Sequence, residues 1–186
     1  MVRELILAAV TSVAVSAHAA DLDGVAMPDT QVVNGIQMSL NGIGLRTFSV
    51  LGIRIYIAGL YLERRSDNPD AILHSSETKL LDIRFLRHVD AEDARNAWQE
   101  SFEQNCRPPC YLEPRDEQRF LAAVPSVRQG DQSTLLFSSK GVHITFNGRP
   151  MGDIPDPNFA ELMLATFIGP VPPTPRLKRQ LLGLSD

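Results

Sequence analysis

Residues 41–63, NGIGLRTFSVLGIRIYIAGLYLE, constrain the fold more than any other stretch of the chain. They read as two β-strands joined at Leu51-Gly52, with an arginine where the strand pattern calls for an apolar side chain. Side chains alternate along a strand, so Arg46 shares a face with Phe48 and Val50, while Leu45, Thr47 and Ser49 point the other way. Beyond Gly52, Ile53, Ile55, Ile57, Gly59 and Tyr61 take one face, and Arg54, Tyr56, Ala58, Leu60 and Leu62 take the other. Both faces are mostly apolar, which predicts a central strand covered on both sides. A guanidinium cannot shed its charge, and an unpaired buried charge is strongly destabilising. Arg46 must therefore meet a carboxylate, a bound anion or trapped water.

The flanking sequence supplies the other elements. Residues 21–33, with Pro28, read as a lead-in, and residues 35–41 as a half-exposed strand turning at Asn41-Gly42 into the Arg46 strand. The polar run RRSDNPD is a connection, and a helical turn is expected over residues 70–74. Residues 78–85 form a strand with Leu81, Ile83 and Phe85 opposite Leu80, Asp82 and Arg84; Arg84 and Arg87 read as solvated or paired at a strand end. Asp90 starts a helix in a capping-box-like arrangement with Asp93, and Ala94, Ala97, Trp98 and Phe102 form its inward stripe. A second helix is expected over residues 114–123, and residues 133–138 and 142–147 make a hairpin turning at Lys140-Gly141. His143 lies on that hairpin's polar face, and it, His74 and His88 read as surface groups.

Asp156 and Pro157 open a helix with Phe159, Leu162, Met163, Thr166 and Phe167 inward, stopped by Gly169-Pro170. Thr174-Pro175 starts a last short helix burying Leu177 and Leu181. Strands separated by helix pairs, without regular alternation, predict an α+β domain: a largely antiparallel sheet with helices packed on one face.

The N-terminus bears on compartment. A short polar start, an apolar run over residues 5–16 and the small-x-small Ala17-His18-Ala19 read as a signal peptide over residues 1–19, leaving one domain over 20–186 in the periplasm or secreted. No later stretch is long and apolar enough to span a membrane. The formal charge is −4 with no basic stripe, which argues against nucleic acid as a partner. Cys106 and Cys110, in CRPPC, fit a small local disulfide or two free thiols; the spacing is not that of a redox pair, and no further zinc ligands stand nearby.

The motifs of phosphate binding, dinucleotide binding, serine hydrolysis and metal ligation are absent, and no cofactor is expected. What remains is Arg46 with tyrosines on the next strand, a pair able to hold a carboxylate or phenolate through forked guanidinium donors and a hydroxyl. The Gly-x-Gly-x-Arg of residues 42–46 and the strand IRIYIAGLYLE resemble the chalcone isomerase-like family, as do FNG at 146–148, DPNFAELMLATFIGP at 156–170 and RLKRQLLG at 176–183. The resemblance implies an open-faced β-sandwich with a ligand cleft between sheet and helices. In the family's enzymes the arginine matching Arg46 stabilises an enolate or phenolate during ring closure. In its fatty-acid-binding members the matching arginine holds the lipid carboxylate, assisted by a tyrosine.

Tyr56 lies near the position of the enzymes' threonine, and Asn96, Gln99 and Asn105 are the helical polar groups offered for the enzymes' tyrosine and asparagine. Three readings stay open. One is a non-catalytic binder of a fatty acid or similar apolar carboxylate, with Arg46 and Tyr56 as its site. Another is a chalcone-flavanone-type isomerase acting on a phenolic ligand, with Arg46 catalytic. The third is a structural or interaction protein in which Arg46 pairs with an internal carboxylate such as Glu63 or Glu161.

Overall fold

The computed structural model describes residues 19–49 and 51–184; the signal peptide expected over residues 1–19 lies outside them but for Ala19, as does Val50. The chain opens with a hairpin of β1 (Ala19–Leu22) and β2 (Val25–Pro28). β3 (Thr30–Val33), β4 (Ile36–Phe48), β5 (Ile53–Leu62), β6 (Lys79–Phe85), β7 (Gln132–Ser138), β8 (Gly141–Phe146) and β9 (Arg149–Ile154) then lie side by side in chain order in one antiparallel sheet. The helices of the described residues are α1 (Pro69–Leu73), α2 (Ala91–Asn105), α3 (Pro114–Ala123), α4 (Pro157–Ile168) and α5 (Pro175–Leu181). The architecture is α+β, an antiparallel sheet with helices on one face.

β5 explains why both faces of the sheet are covered. Its Ala58, Leu60 and Leu62 join Leu81 and Ile83 of β6 under Phe159, Met163 and Phe167 of α4 and Leu177 and Leu181 of α5. Its Ile57 and Tyr61 face the other way and pack with Met38 and Leu40 beneath Met27 of the β1–β2 hairpin. Met27 is fully buried, which contributes about 2 kcal/mol. The Tyr61 hydroxyl donates to the Pro28 carbonyl at 3.0 Å and ties the end of that hairpin to the sheet.

α4 begins where the Asp156 carboxylate accepts the Asn158 N–H at 2.8 Å, and ends at Gly169. Besides the five residues of its expected stripe, Ala160, Leu164, Ala165 and Ile168 are buried, because α1, α2 and α5 surround the helix above the sheet.

Several local expectations are corrected. Residues 21–33 are strands, not a lead-in: β2 and β3 end and begin around Pro28, which stands at a strand end where its missing N–H costs nothing. Asn41-Gly42 is not a turn, since β4 runs straight through with a bulge between Leu40 and Gly42. The Asn41 amide donates to the Ser66 and Leu181 carbonyls, each at 2.9 Å, and its oxygen accepts the Ser66 N–H at 2.8 Å. A Cβ on Gly42 would strike the Gln180 carbonyl oxygen. The dipeptide serves helix docking, and local sequence cannot distinguish that from a hairpin turn.

The sequence pattern predicts no strand where β9 lies, because Pro150 and Gly152 mask an edge strand that among the described residues pairs with β8 alone. On α2, Phe102 is buried and Ala94 and Trp98 pack on the core, but Ala97 is exposed. Asp90 is the N-cap residue without a side-chain cap bond; its carboxylate faces His88 at 3.1 Å, and the Ser126 hydroxyl accepts the Ala91 N–H instead.

Candidate functional site

Arg46 stands two residues beyond Gly44 on β4, on the side facing α5 and α4, and pairs in register with Tyr56 of β5. The two glycines before it create the geometry. Gly42 and Gly44 admit the backbone of α5 against β4, and a Cβ on Gly44 would sit 2.9 Å from Leu177. The Leu45 N–H donates to the Gln180 side chain at 3.0 Å, so the strand is tied to α5 immediately before Arg46. A second bulge follows, where pairing shifts from Arg46–Tyr56 to Thr47–Arg54.

Of the apolar company expected along the strand, only Phe48 lies among the described residues. Phe48 is exposed at the hairpin end, and Arg46 itself is half-buried. Its apolar surroundings come from across the strand. The Tyr56 ring meets Phe85 edge-on at 6.0 Å and Phe167 at 6.5 Å, and Phe167 meets Trp98 at 5.7 Å. The strand and helix periodicities of Phe85, Phe167 and Trp98 say which way these residues face, not that they meet in one row.

Burial pushes the Tyr56 phenol up to about 12, although part of the residue stays exposed; the charge of the adjacent Arg46 and a hydrogen bond from it oppose the rise. Tyr56 is thus a neutral hydroxyl at physiological pH. Accepting from Arg46 leaves its own O–H to donate. A cation and a hydroxyl donor side by side against aromatic rings can receive one carboxylate through charge-assisted hydrogen bonds.

Among the described residues, no carboxylate forms an ion pair with Arg46. Glu63 accepts the Thr78 N–H at 2.6 Å, and Glu161 faces His74 at 3.6 Å, so neither is the expected internal partner. The helical polar candidates are also engaged elsewhere or exposed. Asn105 bonds both the carbonyl and the N–H of Val171, Gln99 bonds Glu103, and Asn96 is exposed. Each histidine of the described residues lies beside a surface carboxylate, His143 against Asp153 at 2.6 Å, His88 against Asp90 and His74 against Glu161. Arg84 grips the buried Asp82 with two bonds of 3.0 Å, the strand-end pairing the sequence allowed. Cys106 and Cys110 are joined in a disulfide.

A cleft of about 320 Å³ opens at the opposite end of β5, between Leu62, Ile72 and Lys79. None of its lining residues belongs to the Arg46–Tyr56 group. Of its cations, Arg64 pairs with Glu77, the Lys79 ammonium donates to the Ser75 carbonyl at 2.6 Å, and Arg65 is exposed. Burial holds Lys79 below its ordinary value against the pull of Glu77, Glu161 and Glu63. Size alone does not make this cleft the chemical centre; the cation set beside a neutral hydroxyl against aromatic rings lies at the other end.

Comparison with known proteins agrees with this architecture. The model of a family described as chalcone isomerase-like matches residues 19–183. No curated protein sequence matches the chain significantly. Among solved structures, the crystal structure of an Arabidopsis thaliana fatty-acid binding protein superposes with a TM-score of 0.74 at 16% identity, covering 89% of this chain and 96% of that one. At that identity the likeness concerns the fold.

Proposed function

Because the chain belongs to the chalcone isomerase-like family, we propose that it binds a fatty acid or similar apolar carboxylate between sheet and helices, with Arg46 and Tyr56 holding the carboxylate. The observation that carries this reading is a guanidinium beside a neutral phenol with no carboxylate partner among the described residues. The plant structure of the same fold, a fatty-acid binding protein by its description, supports the choice of ligand class. The tail lies along Tyr56, Phe85, Phe167 and Trp98, and a shift of α2 admits it. α2 packs chiefly on α4 and α3, with Phe102 its one buried residue, so it is held mainly by other helices and not by the sheet. Flavanone-forming catalysis draws no comparable support, with Tyr56 near the enzymes' threonine position and Asn105 engaged with Val171.

Export completes the proposal. The N-terminal pattern and a disulfide that persists in oxidising compartments both favour it. Native mass spectrometry of protein recovered from an exporting host tests both parts. The intact mass reads whether residues 1–19 are gone, and denaturing extraction reads a bound fatty acid. Arg46→Ala is expected to remain folded and lose the ligand. Undiminished affinity in that variant would sink the assignment of Arg46.

A further inference from the structure

The hairpin tip that joins β4 to β5 carries two large apolar side chains into solvent: Phe48 is 60% exposed and Leu51 is 82% exposed. A tight turn holds them there, with Ser49 and Gly52 at positive φ and the Gly52 N–H donating to the Ser49 carbonyl at 3.1 Å. Turn geometry favours small and polar residues, and nothing in this one requires Phe or Leu. Among the described residues, the other large exposed apolar side chains stand singly, Val32 on β3, Tyr111 in the loop between α2 and α3, and Leu184 after α5.

We propose that this tip docks on a lipid bilayer, with Phe48 and Leu51 entering the headgroup and acyl boundary, and that the Arg46–Tyr56 pair behind it takes a fatty-acid carboxylate directly from that surface. The second half rests on the function proposed above; the docking itself does not. Three observations favour a bilayer. The tip is edged by cations: Arg54 pairs with Thr47 across the hairpin, and the Leu86 N–H bonds the Ile55 carbonyl, which brings the exposed Arg87 alongside β5. Apolar side chains with arginines at their rim match acyl chains under a phosphate layer. Arg54 is held only by an exposed pair with Asp23, so it remains available to a phosphate.

Among the described residues the apolar contact is two side chains. A second protein needs roughly 800 Å² per partner for a stable interface, whereas a bilayer makes no demand for shape. Distance also fits. Arg46 lies two residues behind Phe48, roughly 7 Å along the strand, within the depth at which a membrane-borne carboxylate sits.

Flotation of the protein recovered from the exporting host, with residues 1–19 removed, with vesicles of phosphatidylcholine containing phosphatidylglycerol tests the proposal, beside a Phe48→Ser/Leu51→Ser double variant whose thermal melt is checked against the parent. The parent is expected to float, and the double variant to lose roughly tenfold or more of its partitioning with its melt unchanged. Binding of a fluorescent fatty acid from vesicle-free solution is measured in parallel and should be equal in both proteins. Failure of the parent to float, or equal flotation of the two, overturns the docking. A shift from dimer to monomer in the double variant, read by sedimentation, overturns it in favour of an interface between copies. If flotation depends on the tip while neither protein binds fatty acid, docking stands and the ligand assignment fails.

Discussion

Tyr56 is worth more as a neutral phenol than as an aromatic filler, because burial holds its proton while Arg46 stands beside it. Its folded value, about 12, exceeds the ordinary 10, so the folded state keeps the proton more tightly than the unfolded chain. That stabilisation is fully present below pH 10 and is lost as pH climbs through 12. Tyr61, raised by its own burial, behaves the same way. We expect an ultraviolet titration of the folded protein to show late-ionising tyrosine, and Tyr56→Phe to remove one such group and flatten part of the alkaline loss of stability. An unchanged titration curve would contradict the burial of that hydroxyl. The same substitution removes a single hydrogen bond to a bound carboxylate and should weaken fatty-acid binding by about 1 kcal/mol, read by calorimetric titration.

At the scale of elements, the decisive contact is α5 on β4. The Thr174 hydroxyl accepts the Leu177 N–H at 3.1 Å and starts the helix, Leu177 and Leu181 are fully buried, and the two strand glycines let the backbones approach. Gly42→Ala inserts a methyl group against a carbonyl that cannot retreat without moving the helix. Overpacking of this kind costs about 1–3 kcal/mol. The expected result is a lower melting temperature together with weaker ligand binding, since the Leu45–Gln180 bond that braces Arg46 moves with α5. A melt identical to the parent would mean that the contact is looser than described.

On the scale of the whole molecule, the β1–β2 hairpin is the only cover over the β4–β5 part of the outer sheet face among the described residues. Met27 fills the space above Gly59, where a Cβ would meet its sulfur. Removing the chain through Pro28 uncovers Met38, Ile57 and Tyr61, each wholly buried. Several side chains worth about 2 kcal/mol apiece would then face water. The truncated protein is expected to bind an apolar dye and melt at a markedly lower temperature, and a parent-like melt with no dye binding would refute this role for the hairpin.

Periodicity alone determined most of the elements. The alternating apolar runs of β5, β6, β7 and β8 and the capped starts of α4 and α5 are set by local backbone chemistry, and they are found where the sequence places them. The charge of Arg46 on an apolar strand likewise marked it before any partner was known. Tertiary structure decided the rest, because the relevant neighbours are remote in the chain. Asn41-Gly42 is a docking clamp only once α5, about 140 residues later, lies against it. β9 is a strand only because β8 offers it an edge. Arg46 meets Tyr56 rather than Glu63 or Glu161 because strand register, which no local pattern specifies, sets a phenol opposite the guanidinium and leaves both carboxylates with other partners.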